Sequence, residues 1–415
     1  MRRSLHRAGA ALLAAALAAG HAGAQVVRLP DRDRALAGTP APAFSIGAEE
    51  GESWEMLSNV RAVAFDRSDN LYLLDSGNQR VLVFDRTGRF VRQIGKQGEG
   101  PGELMYPSGL GLAADGTVVV ADAGRRAWSL FSPAGAFLRN VGFSEEWMPM
   151  VLGGAVRTHP QGLVTAMRPS PLRALQEGRQ VQSSSVTPLM LVPLREGSAP
   201  RKVFDVPQHT ETRQTSSSTP GGERQVRIMI PGPPVFSPEI LYGVLPDGNL
   251  ALSFTKGYTI RIVDVNGTTS RYLQRALRPR PVTEEDRERE RRRREEMQRT
   301  GRGMTIIQQG GPGGGRGGGA PPRIDLPPPE FADTMPVVRG MVVSPSGKIW
   351  VGRTGRWWDD DGPIDLITPT GEYLGTLTGQ TLPAAISPGG LAAWIERDDL
   401  DVERVVVRRL PAAWR

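Results

Sequence analysis

The 415-residue sequence contains no cysteine. That excludes disulfides, thiolate metal ligands, thiol nucleophiles and a leader cysteine for a lipid anchor. Histidine is almost as scarce: of the four present, His6 and His21 fall within the first 24 residues. His159 and His209 are too few for a histidine-rich zinc site, and no third group is placed to orient either in a Ser-His-Asp arrangement. His159 precedes Pro160 in a tight turn and His209 lies in a Thr/Gln/Ser-rich loop, so both read as solvated turn residues. No stretch after residue 25 is long and apolar enough to span a bilayer.

The first 24 residues read as an export leader. Arg2, Arg3 and Arg7 form a basic start, residues 8–20 a short apolar stretch, and residues 22–24 an A-x-A cleavage site before Gln25. A periplasmic or secreted protein is expected, cleaved near Ala24. The formal charge of +7 and a pI near 10.1 raise the question of nucleic acid. Three positives leave with the leader, however, and residues 280–323 hold eleven arginines against seven acids, an excess that accounts for the remainder. The rest of the chain is near neutral, which argues against nucleic acid as a partner.

What the sequence does have is a repeat. Residues 63–95 and 110–142 share the order strand, polar turn, strand, Asp-x-Gly loop, strand, x-Gly turn, strand. The turn-plus-strand core returns at 160–167, 246–254, 345–352 and 388–396. Four strands in a unit of about 40 to 50 residues mark a β-propeller blade. Six such units predict an all-β, six-bladed β-propeller of four-stranded antiparallel blades, forming one domain over 25–415.

The last blade lacks a strand, because only 391–396 and 402–409 follow its first turn. Residues 42–47 (PAFSIG) precede blade one as 90–95 (FVRQIG) precede blade two. The N-terminal segment is therefore expected to complete the last blade and close the ring, removing an exposed edge.

The runs LYLLDSGNQRVLVFD at 71–85 and GKQGEGPGEL at 95–104 resemble the NHL-repeat family of six-bladed propellers, closely over 60–142. The resemblance implies the propeller, and a family that includes ligand-binding sensors, protein and RNA adaptors and a few enzymes. Amidating lyases on this architecture hold zinc with several histidines, which this chain lacks. Propeller lactonases hold calcium with Glu, Asn and Asp at the channel mouth. Here the acidic runs at 357–362 and 397–401 would lie on neighbouring blades, so a calcium-dependent lactonase-type hydrolase or lyase is the alternative reading.

Strand order assigns each loop to a face. The A–B and C–D turns are tight, whereas the B–C and D–A connections grow at 95–107, 168–188, 207–237, 278–336 and 354–362, all on one face. The longest, 278–336, divides into a helix from Thr283 to Arg299 with i,i+4 charge pairs and a Gly/Pro tract at 310–322. It is expected to be a largely disordered insertion whose helix has no face to bury. Asp75 and Asp122 are assigned to bracing their B–C loops, and Arg126 aligns with Arg80, leaving Arg125 as an extra cation. Adjacent Trp357 and Trp358 cannot both face inward if extended. The predicted ligand-binding residues are Arg125, Trp357, Trp358, Asp359 and Asp360, with no catalytic residue, no metal ligand and no cofactor beyond calcium in the alternative reading. The expected partner is a protein, small molecule or carbohydrate, met by a monomer with no membrane span.

Overall fold

Strands such as Leu71–Asp75 and Val118–Asp122 are buried at every position. Side chains alternate along a strand, so burial of all of them requires cover on both faces. The structure, a computed structural model, describes residues 23–144, 146–151, 154–169, 186–195, 197–207, 211–217, 226–299, 324–325, 329–357, 361–398, 400 and 402–415. It meets that requirement with six radially packed sheets.

In chain order, β1 (Gln25–Arg28) and β2 (Ala41–Ile46) precede the first full blade. Blade one is β3 (Val60–Phe65), β4 (Leu71–Asp75), β5 (Arg80–Phe84) and β6 (Phe90–Ile94). Blade two is β7 (Pro107–Leu112), β8 (Val118–Asp122), β9 (Ala127–Phe131) and β10 (Phe137–Gly142). Blade three has a divided inner strand, β11 (Trp147–Met150) and β12 (Arg157–His159), followed by β13 (Gly162–Pro169), β14 (Val186–Val192) and β15 (Arg201–Pro207). A hairpin, β16 (Glu211–Ser217) and β17 (Val226–Gly232), stands before blade four, which is β18 (Leu241–Val244), β19 (Leu250–Ser253), β20 (Tyr258–Val263) and β21 (Thr269–Arg275). The helix α1 (Glu284–Arg299) and β22 (Ile324–Asp325), which pairs with β16, lead to blade five: β23 (Val338–Val343), β24 (Ile349–Arg353), β25 (Ile364–Ile367) and β26 (Tyr373–Leu377). Blade six supplies β27 (Ala385–Ile386), β28 (Leu391–Arg397) and β29 (Glu403–Arg409).

The alternation divides the core by interface. Leu71 and Leu73 pack towards Val405 and Val407 of blade six, while Tyr72 and Leu74 pack towards Val118 and Val120 of blade two. Four more clusters fill the remaining gaps between blades, so each core belongs to two neighbours and none to a single sheet.

The ring closes as expected. β2 pairs antiparallel with β29, from Ala41 opposite Arg409 to Ile46 opposite Val405, and supplies the fourth strand of blade six. The N-terminal segment does more than the sequence showed. β1 pairs in parallel with β21, the outer strand of blade four, and Thr376 of blade five exchanges backbone hydrogen bonds with Arg34 and Leu36 at 2.8 and 3.0 Å. Residues 25–46 therefore form a strap across the rims of blades four, five and six.

Under the strap lies a charge network. Arg275 binds Asp365 at 2.8 Å and Asp33 at 2.6 Å, while Arg353 reaches Asp33 at 2.7 Å and lies 3.4 Å from Asp365. Asp365 is fully buried and also accepts from Thr376 Oγ1 at 2.6 Å. Each carboxylate thus meets two guanidiniums, joining blade four, blade five and the strap. Removing the fully buried Asp365 would leave the buried Arg275 guanidinium without its enclosed partner, a loss of about 3–5 kcal/mol, whereas the exposed Asp33 contributes less.

Two outcomes follow. Deleting residues 25–46 strips two strands and Asp33 from the ring; since about 1 kcal/mol moves the melting temperature by about 2–4 °C in a sizeable domain, calorimetry should record a fall of more than about 10 °C. Asp33→Asn tests the network by pH. Burial alone would raise the Asp33 pKa, but hydrogen bonds from Arg353 and Arg275 hold it below 3.8. A depressed carboxylate contributes stability that is present above its unfolded pKa and lost as pH falls through the folded value. The melting temperature of Asp33→Asn should accordingly lie below that of the parent at neutral pH and converge on it below pH 3.8.

Candidate functional site

The long connections gather on one face, and two kinds of device hold them there. In blade one Asp75 accepts from the Ser58 N–H and from Arg80 Nε, both at 2.9 Å, and Arg80 donates onward to the carbonyls of Ser53 and Met56. In blade two Asp122 accepts from the backbone N–H groups of Met105, Tyr106, Gly124 and Arg125. Arg125 then donates to the carbonyls of Glu103, Gly100 and Gly98 at 3.0, 2.8 and 3.2 Å. The two carboxylates brace their loops as the sequence predicted.

The arginine correspondence is corrected. Asp75 is paired across its loop with Arg80, and Asp122 with Ala127. Gln79 and Arg126 share the left-handed conformation, with φ of 52° and 53°, so Arg126 is the counterpart of Gln79. Arg125 is not surplus: it reaches the preceding loop as Arg80 does, from two residues earlier in the repeat. Its guanidinium lies within the 98–103 loop backbone, on the elaborated face.

The second device is α1. Thr283 and Asp286 form a capping pair: the Asp286 carboxylate accepts from the Thr283 N–H and hydroxyl at 2.8 Å each, and the Thr283 hydroxyl accepts from the Asp286 N–H at 3.3 Å. Arg280 grips the same carboxylate with two bonds of 2.7 and 2.9 Å. Burial alone would raise the Asp286 pKa, but the bonds from Arg280 and Thr283 hold it below the ordinary value. One turn on, Glu290 is 5 % exposed and receives Arg293 and Arg294. The expectation that this helix buries no face is overturned, because paired carboxylates serve as its buried face. Of the rest of the 278–336 insertion, 300–323 and 326–328 lie outside the described residues.

Beside the helix Phe236, Val282 and Met335 form a small apolar cluster. Trp357 leans over it with two guanidiniums against its ring, Arg289 from the helix at 5.4 Å and Arg356 from its own loop at 5.1 Å. Between these elements lies a pocket of about 290 Å³, lined by Phe236, Met335, Trp357, Arg289, Arg293, Arg339, Asp286 and Glu290. Its lining joins an aromatic face and an apolar floor to three guanidiniums and two acids, of which Asp286 is engaged by Arg280 from outside the lining and Glu290 by the lining Arg293 and by Arg294. Such a surface suits a ligand with both apolar and anionic parts.

Of the predicted binding residues, Trp357 lines this pocket, whereas Arg125 belongs to the B–C loop of blade two, across the ring from blade five, so the two are not brought together. Trp358, Asp359 and Asp360 lie outside the described residues. Phe236, Met335 and Arg339 went unpredicted, and their only signal was position within or just after a long connection. His159 departs from expectation. It is 8 % exposed, facing the Gly248 carbonyl at 3.0 Å and accepting from the Gln161 N–H at Nδ1, and burial lowers its pKa. The neutral ring ties the A–B turns of blades three and four together. His209 lies outside the described residues. Among the described residues no three His, Asp or Glu side chains cluster as metal ligands would.

Residues 54–128 match a family model described as a 6-bladed beta-propeller. The human E3 ubiquitin-protein ligase NHLRC1 is 30% identical over 111 residues, 26% of this chain and 26% of the ligase. The RING finger protein nhl-1 of Caenorhabditis elegans is 39% identical over 86 residues, 20% of this chain and 8% of that protein. The match thus spans about a quarter of the human ligase and less of the worm protein. Among solved structures, a gluconolactonase from Xanthomonas campestris superposes over 89% of this chain and 87% of its own, with a TM-score of 0.40 and 11% identity. Fold, domain model and repeat sequence agree: this chain is a six-bladed β-propeller whose relatives are NHL-repeat proteins.

Proposed function

We propose that the protein is an exported, non-catalytic binding or scaffolding propeller that engages a protein or small-molecule partner on the face carrying the long loops. The observation that carries this reading is the asymmetry of the disc. One face carries mostly tight turns, while the other holds the braced loops, α1 and the Trp357 pocket. Exposed apolar side chains stand on the same face: Met56 and Tyr106 on D–A loops and Leu400 on the B–C loop of blade six. A rigid scaffold presenting braced, apolar-tipped loops is pre-organised for a macromolecular partner. The relatives named as ubiquitin-protein ligases are proteins that act on proteins, in keeping with a protein partner.

Export rests on the leader. Residues 1–22 lie outside the described residues, and β1 begins at Gln25, the first residue after the expected cleavage site. No helix among the described residues is long and apolar enough to cross a membrane. N-terminal sequencing of protein from the exported fraction should therefore begin at Gln25; an intact leader on cytoplasmic protein would refute export.

The binding face is tested by Trp357→Ala. Each cation–π contact contributes about 0.5–1 kcal/mol at an exposed site, so the melting temperature should fall by a few degrees with an unchanged circular dichroism spectrum. Capture of partners from the exported fraction should drop at least tenfold. Undiminished capture would move the site elsewhere, and calcium-dependent stabilisation together with lactone turnover would replace this reading with the hydrolase.

A further inference from the structure

The central channel ends in a cavity that belongs to neither the loop face nor the packing between blades. The cause is the divided inner strand of blade three. Met150 pairs with Ala166 and Arg157 with Val164, so six residues of sequence stand opposite the single residue Thr165. Of these, residues 154–156 cross to the inner strands of blades one and two. Val156 donates its N–H to the Leu110 carbonyl at 2.8 Å. Gly154, at a φ of 73°, lies so near blade one that a Cβ there would stand 1.9 Å from the Arg61 carbonyl oxygen. Only glycine permits that approach.

On the long-loop side of the channel Gly154 meets Arg61 of blade one, and Ala155 and Val156 join the channel wall. The cavity, of about 220 Å³, is walled by the inner strands. One ring of six residues, Phe65, Leu112, Thr158, Val244, Val343 and Ile386, lines both this cavity and a wider cup of about 670 Å³ among the A–B turns. The cavity therefore communicates with the tight-turn face.

Among the described residues Arg157 is the one charged side chain in the cavity wall. At its level the other blades present Ala64, Gly111, Gly243, Val342 and Ala385, small residues that leave room around the guanidinium. Arg157 Nε donates to the Tyr242 carbonyl at 3.3 Å, and among the described residues no carboxylate pairs with the group. Asp66 and Asp115 stand in the outer cup, each with Oδ1 accepting from backbone N–H groups of its own turn, and Asp66 Oδ2 accepts from the Asn70 amide. Burial lowers the Arg157 pKa, yet a guanidinium stays charged in a protein.

A half-buried cation without a counter-ion is costly, and a bound anion offsets that cost. The planar guanidinium fork matches a carboxylate. The free edges of the inner strands add backbone N–H donors, and the Val, Leu and Phe side chains of the ring favour an anion with a short apolar tail. We propose that Arg157 and the channel cavity form a binding site for a short-chain monocarboxylate that enters from the A–B turn face. This site is independent of the Trp357 pocket, with which it shares no lining residue.

The test is a melting series in sodium acetate and sodium butyrate at constant ionic strength, with sodium chloride as the reference salt. A ligand that binds only the folded state raises stability in proportion to ln(1 + [L]/Kd). The wild type should show a saturable rise with either carboxylate. Arg157→Gln, which keeps a polar side chain and loses the charge, should bind at least tenfold more weakly. No carboxylate-specific rise in the wild type, or an equal rise in Arg157→Gln, overturns the proposal. Should that variant fail to fold, wild-type crystals soaked in butyrate decide: density for a carboxylate beside Arg157 supports the site, and solvent alone overturns it.

Discussion

Closure is the constraint on which the rest of this molecule depends. Every hydrophobic cluster between blades is shared by two sheets, so an open ring would expose one whole interface. Blade six contributes only three of its own strands, and β2 completes it. The strap then runs under two further rims, and the pairing of Asp33 with Arg275 and Arg353 fixes it where blades four and five meet. At the far end the Trp414 indole donates to the Ala37 carbonyl at 3.0 Å, which binds the C-terminal turn to the same strap.

Much of this was legible because it repeats. Short apolar runs bounded by glycine-bearing turns, and a second copy about 47 residues on, identify blades without any long-range information. The closing strand was legible too, because the pattern ending in Ile46-Gly47 matches that ending in Ile94-Gly95. β1 was not. Its four residues pair in parallel with an outer edge, and such short pairing leaves no period in the sequence. The docking of α1 was hidden for a different reason: hydrophobic pattern cannot reveal a face buried through Asp286 and Glu290 held by arginines.

The candidate site was only partly visible. Loop length gave the face and composition gave Trp357, but Phe236 and Met335 reach the pocket from two different connections. Arg125 shows a sharper limit. Aligning the loops by their arginines pairs Arg126 with Arg80, whereas the backbone pairs Arg126 with Gln79 through their shared left-handed conformation. A side chain as long as arginine can carry the same function from a different position, so identity of role does not require identity of register.

The strap also sets the order in which the molecule can form. Residues 41–46 are made long before their partners at 403–409, and 25–28 long before 271–274. Pairing of such high sequence separation pays its loop-closure entropy before any contact rewards it, which slows folding. Until blade six arrives, the growing chain holds an unpartnered apolar strand at one end and an unfilled blade face at the other. The interval between synthesis and closure is thus when this protein is most exposed to pairing with a second copy of itself, and the length of the ring, more than the stability of any blade, fixes how long that interval lasts.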